Sequence, residues 1–420
     1  MNLAPLAERP AHVPEDRVFD FDLFAPPGGR ADIHAGWKSL HAPGVPEIVW
    51  TPRNGGHWIA TRGKRIAEIF ADYERFSNRV SMVPKVNGEQ FRMIPTSLDP
   101  PEHRPFRTLL NANFSPKAVA GMEKMIRKIA VDLIEPMRLR GGCNFTTDYA
   151  EIFPLQIFML LVDLPFSDAP VLKKVVDEML RPKGEFSFAE GRRRLDEYMA
   201  KHVDARMGGS GNDLLTRIVN GTVDGRPLTR DEALKTAILV LAGGLDTVAN
   251  FVSFALLFLA RNPDRRRELI DNPALIPAAV DELLRRYPVA LAAREIRNDM
   301  EYCGVEMRRG DMILMASPAA GIDEEWNERP LEVDFHRGAI EHATFGNGIH
   351  RCAGAYLARA EMRITLEEWL SRVPAFDVAP GAEITFTGGV VVTVDRLPLV
   401  WDPAKTVAVE APSAAAVVNA

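Results

Sequence analysis

The sequence predicts a mainly α protein with a small β portion, and three observations lead there. Apolar residues recur at helical spacing almost without a break from Ser115 to Tyr287. Strand-like stretches are confined to Glu47–Gly63, Glu295–Met315 and Glu383–Trp401. Strands and helices do not alternate as a doubly wound sheet requires. At 420 residues the chain exceeds the usual size of one core, so two domains or one large helical body are both open. No repeat or linker interrupts it, so 1–410 is read as a single large domain and 411–420, APSAAAVVNA, as a disordered tail.

In chain order, EIVWTPRNGGHWIATRG reads as two strands around an Asn-Gly turn. Ser115 caps a helix with Pro116 at its first position, and Met122, Ile126, Ile129 and Leu133 share one face. Thr229 and Glu232 have the spacing of a capping box. The stretch Ala237–Ala260 is long and apolar enough to span a bilayer. Near its middle sit Asp246, Thr247, Asn250 and a Gly-Gly pair, and a carboxylate there costs roughly 2.5–3.5 kcal/mol on insertion scales. It is therefore read as a helix buried on all sides, with no membrane partner. IPAAVDELLRRY is a further helix, ended by Pro288.

A net charge of −6 argues against a whole-protein role on nucleic acid. Three distant cysteines, Cys143, Cys303 and Cys352, form no disulfide framework and fit a reducing cytoplasm. The N-terminus, MNLAPLAERPAHVPEDRVFDF, lacks the apolar core of a signal peptide.

Three motifs carry chemistry. In FGNGIHRCAG, Cys352 follows His350 by two residues among three glycines. It reads as a small buried hydrophobe, as a nucleophile with His350 as base, or as an axial thiolate to haem iron. Zinc would need more ligands than this neighbourhood offers. A helix starting just after Cys352 would favour its ionised form. In AGGLDT, Asp246 lies in an apolar helix, where a carboxylate must find a partner or act. The two glycines cost roughly 1 kcal/mol each against alanine and leave room for a flat ligand. Asp246 and Thr247 beside that gap make a proton-delivery pair. Glu282 and Arg285 are three apart on a helix, which by spacing alone is an ordinary surface pair.

In this order and spacing the three motifs resemble the cytochrome P-450 haem-thiolate monooxygenases. NGGHWIATRG, IPTSLDPPEHRPFR, NFTTDYAEIFP and PLVWDPA are similar to the bacterial camphor monooxygenase branch, so the likeness spans nearly the whole chain. It implies the cytochrome P-450 fold, a single domain enclosing haem b, with Cys352 as the iron's thiolate and Phe345 opening its loop. His103, Arg107, Arg294 and His350 match positions that hold the haem propionates. Asp246 matches the acid that relays protons, Thr247 the hydroxyl beside bound dioxygen, and Lys173 and Arg181 the cations that pair with the acid. Met82, Phe91, Met93, Thr96, Met179, Leu180, Leu239, Ala242, Val248, Ala290 and Val391 match the substrate pocket, although plain core would look the same.

Three departures stand out. Phe91 replaces a tyrosine that hydrogen-bonds the camphor ketone, Ala292 an acidic residue near a propionate, and Glu332 a basic residue that joins Glu282 and Arg285. The implied reaction is hydroxylation of a small apolar terpenoid or norisoprenoid. Electrons come from a ferredoxin, reduced by an NAD(P)H-dependent reductase, and Arg104, Arg107 and Arg351 offer it a basic patch. Rival readings are camphor hydroxylation, a haem sensor, which needs no Asp246–Thr247 pair, and a cysteine hydrolase, which needs no haem.

Overall fold

The computed structural model describes residues 6–181 and 184–409, so the expectation for 411–420 lies outside the described residues. Helices dominate the middle of the chain. Pro116–Arg138 starts as its sequence prescribes: the Ser115 hydroxyl accepts from the Ala118 N–H and Pro116 takes the first position. Its face of Ile126, Ile129 and Ile134 is buried against the helix Ala355–Arg372 and the aromatic stack of Phe145, Tyr149 and Trp369.

The main sheet runs in the order Ile48–Thr51, His57–Ala60, Met312–Met315, Ala292–Ile296 and Phe76–Ser77. It unites strands from both ends of the chain, and only its His57–Ala60/Met312–Met315 pair is parallel. The first two strands pair Thr51 with His57, so five residues connect them. Asn54, Gly55 and Gly56 all have positive φ there, which makes the turn longer than the two-residue Asn-Gly hairpin expected. A three-stranded sheet (Asp377–Val378, Pro398–Val400, Gly142–Asn144) closes the other end.

The apolar stretch does form helix, but in two pieces, Arg230–Gly244 and Thr247–Arg261, parted at Leu245 and Asp246. The first carries the full capping box of Thr229 and Glu232. Most of the span lies inside the protein, with Phe251, Val252, Leu256 and Leu259 at 1% exposure or less. Core residues supply the apolar surroundings its composition demands.

Two buried histidines far from the motifs give the fold a pH dependence. Burial pushes His34 and His57 down to about 4, with Asp32 partly opposing it at His34. An unfolded histidine titrates near 6.5, so between those values the unfolded chain holds more protons and stability falls as pH falls. Thermal unfolding should shift to lower temperature from pH 6.5 towards 4, and His57→Gln should make that slope shallower. An identical slope in wild type and variant would contradict this.

Candidate active site

Phe345–Gly354 sits between the helix Gly63–Ala71 and the start of Ala355–Arg372. Gly346 and Gly348 both have φ of 66°, and a Cβ on Gly348 would lie 2.9 Å from the Ala71 Cα. Only glycine lets the loop cross the helix end so closely. The Cys352 N–H donates to the Phe345 carbonyl at 2.8 Å, which folds the loop back under the sulfur. Cys352 is open to a water-sized sphere, yet protein surrounds it closely enough to push its thiol up. The Gly354 N–H, Arg107, Arg351 and Arg359 pull the other way without overcoming burial. The helix start thus favours the anion as expected but is outweighed by burial, and a cation on the sulfur would shift the balance. Cys143, pushed up to about 12, lacks that ring of arginines.

In the helix Arg230–Gly244, the two glycines divide the work that the sequence assigned to both. A Cβ on Gly244 would lie 2.5 Å from the Phe158 ring, so Gly244 is a packing residue. A Cβ on Gly243 would meet nothing within 4 Å, and Gly243 is exposed although the residues around it are largely buried. Ala242 and Ala353, the neighbours of Gly243 and Cys352, pack on one apolar cluster. The Thr247 hydroxyl donates to the Gly243 carbonyl at 3.4 Å.

Asp246 is 2% exposed and lies in the break between the helix pieces. Arg181 donates to both its oxygens, at 2.7 and 2.9 Å, which resolves the buried charge. Lys173 makes no direct ion pair with Asp246, although the Asp246 charge still acts on it. It holds Asp177 at 2.6 Å and Glu151 at 3.3 Å, and Asp177 also accepts from Arg181. The carboxylates of Asp177 and Glu151 are about a third exposed, so this charge network runs from Asp246 to solvent.

The four residues expected at the propionates converge. The His103 and His350 rings lie 4.2 Å apart, and Arg107 donates to the Arg351 carbonyl beside Cys352. Arg294 is 3% exposed and donates to the Ala293 carbonyl at 2.8 Å with no carboxylate bonded to it; burial lowers it to about 9. Both His103 nitrogens and His350 Nε2 are buried without a hydrogen-bond partner. Burial and the neighbouring arginines push His103 down to about 4 and His350 down to about 2. So many buried donors facing one another without an anion fit a ligand with carboxylates at its edge, as haem has. Phe345 carries the Arg359 guanidinium over its ring at 4.5 Å.

Of the expected pocket residues, Met82, Phe91, Met93, Met179, Leu180, Leu239 and Ala242 pack in or against one apolar cluster. Val248 and Val391 belong to a second cluster, which Leu180 also touches, and Val391 pairs with Ala290 across a bridge. Thr96 belongs to neither; its carbonyl accepts from Asn78. The structure adds residues the sequence reading passed over: Phe188 meets the Phe91 ring edge-on at 5.8 Å, and Phe158 seats Gly244.

Glu282 and Arg285 are no surface pair. Both side chains are fully buried and bonded bidentately at 2.8 Å. The basic third member missing at Glu332 is Arg337, whose Nε lies 3.0–3.1 Å from both Glu282 oxygens. Glu332 contributes its carbonyl to Arg285 while its carboxylate pairs with Arg329.

Comparison with known proteins agrees with this geometry. A family model described as Cytochrome P450 matches residues 188–384. The probable cytochrome P450 127A1 of Sinorhizobium fredii is 34% identical over 401 residues, 93% of this chain and 96% of that protein. The crystal structure of CYP101J2 superposes with a TM-score of 0.87 at 43% identity, covering 94% of this chain and all of that one. CYP101C1 gives 0.86 at 41% identity with the same coverage.

Proposed function

Because this chain belongs to the cytochrome P450 family, a family of haem-thiolate monooxygenases, we propose that it hydroxylates a small apolar terpenoid or norisoprenoid, with Cys352 as the iron ligand. The single observation that carries the site reading is the set of partnerless buried donors at His103 and His350 beside Arg294. These side chains, with Arg107, would bind the haem propionates; the glycines and backbone amides of Phe345–Gly354 would hold the Cys352 sulfur as the ligand. The bound haem supplies dioxygen activation and the oxidising power for C–H insertion. Redox partners deliver its electrons, and we assign that part to a ferredoxin docking over Arg104 and Arg351, both exposed. A cytoplasmic location goes with this reading.

What the chain itself does is place protons and exclude water. Asp246, held by Arg181 at the end of a charge network that reaches solvent, is the acid. Thr247, on the next residue, orients its hydroxyl by donating to the Gly243 carbonyl. The break at Leu245 and Asp246 frees backbone that an unbroken helix would bond internally.

The pocket supports an apolar substrate. Phe91 is 8%, Met93 8% and Met179 6% exposed, and methionine adapts to irregular shapes. Without a phenol at position 91, a bicyclic ketone gains no hydrogen bond from this wall. Spectral titration should show β-ionone binding more tightly than camphor. Phe91→Tyr should tighten camphor by up to roughly tenfold, about 1.4 kcal/mol. Tighter binding of camphor than of every larger terpenoid tested in the wild type would overturn this substrate class.

A further inference from the structure

Three arginines stand in a row on the helix Phe188–Arg206, and they do not behave alike. Arg193 and Arg194 lie along its outside, 55% and 47% exposed, paired with Glu190 and Glu197. Arg192 turns inward and is 13% exposed. Its Nε lies 3.0 Å from both Asp196 carboxylate oxygens, one turn along the same helix. Its Nη1 crosses to another part of the chain and donates to the carbonyls of Gln90 at 3.5 Å and Arg92 at 3.2 Å. These two carbonyls flank Phe91, and the guanidinium lies 5.4 Å from the Phe91 ring centroid. Phe188 closes the same ring from its edge.

We propose that Arg192 is a positioning residue for the substrate cavity, acting through Phe91. An arginine that merely stitched two surface segments would pair with a carboxylate on the other segment. Here the carboxylate is on its own helix, where it aims the guanidinium, whose hydrogen bonds and ring contact across the gap fall on Phe91 and its two neighbours. The planar fork divides its donors between Asp196 and the carbonyls while its face stays on the ring. A lysine would keep the charge near the ring but could not serve all three. The orientation of the cavity wall at Phe91 is thus set from a helix about 100 residues away in sequence. Arg192 need not touch substrate to do this.

The inference rests on Phe91 lining the substrate cavity, as proposed above, and the experiment separates the two claims. Holoenzyme is titrated with β-ionone by the haem absorption shift in wild type, Phe91→Ala, Arg192→Met, Arg192→Lys and the double variant Phe91→Ala/Arg192→Met. Amide hydrogen exchange over residues 88–94 is followed in the first four. Phe91→Ala should weaken binding, and Arg192→Met should weaken it by roughly threefold to tenfold with faster exchange at 90–92. In the Phe91→Ala background, Arg192→Met should add less than about twofold, because the two residues act as one unit. Arg192→Lys should recover part of the affinity. Unchanged affinity in Phe91→Ala overturns the cavity assignment. Weakened binding in Phe91→Ala with none in Arg192→Met overturns the role of Arg192 alone, as does simple addition of the two effects.

Discussion

Asp246→Asn is expected to slow product formation on the order of a hundredfold while leaving substrate binding nearly intact, the loss typical of removing a positioned acid. The variant keeps the shape of the break between Arg230–Gly244 and Thr247–Arg261 but loses the carboxylate that Arg181 grips with two bonds. Arg181 then keeps only Asp177, and the network through Lys173 and Glu151 no longer ends at the site. Thr247→Ala should act differently. With the acid still in place but no hydroxyl beside the Gly243 carbonyl, NAD(P)H should continue to be consumed, its two electrons reducing dioxygen to hydrogen peroxide in place of forming product. Stopped coupling in the second variant and slowed turnover in the first separate the two roles. Full coupling in Thr247→Ala would remove Thr247 from the proton path.

Arg285→Ala should be the most damaging change to the fold. Breaking a fully buried ion pair by deleting one partner costs about 3–5 kcal/mol. Here it leaves the Glu282 carboxylate to Arg337 and the Asp334 N–H, strips the side-chain donor from the carbonyls of Gly321 and Pro330, and leaves the Glu332 carbonyl to Arg337 alone. These carbonyls tie the helix Ile276–Arg286 to the segment leading to the cysteine loop. Thermal unfolding and haem content after expression measure the effect, and Arg285→Ala should yield little folded holoprotein. A variant that folds with a melting temperature near wild type would show that the network is dispensable.

Much of this was legible in the sequence because the decisive residues have few physical alternatives. Gly348 must be glycine where a loop presses on Ala71, and Ser115 and Thr229 cap as their spacing prescribes. Asp246 in an apolar helix demanded a cation, and Arg181 supplies it. What stayed hidden depends on which side chains meet in space. Arg337 completes the Glu282 pair from outside the expected position, and nothing local to it signals a partner 55 residues away. Gly243 and Gly244 look alike in sequence, but Phe158 makes one a packing residue and leaves the other open. Among Arg192, Arg193 and Arg194, only the helix phase relative to Phe91 distinguishes the one that turns inward. At Cys352, too, the sequence shows the helix start but not the burial that opposes it. The helix start and arginines do favour the anion, but burial outweighs them.

Cys352 is expected to supply the thiolate to a haem held by His103, Arg107, Arg294 and His350. The most direct measurement is the absorption spectrum of the reduced holoprotein under carbon monoxide, taken for wild type, Cys352→Ala, Cys143→Ala and Cys303→Ala. The band that gives the family its name should appear in wild type and in the Cys143 and Cys303 variants and be absent from Cys352→Ala. A Cys352→Ala protein that keeps the band, or a Cys143 or Cys303 variant that loses it, would contradict the account.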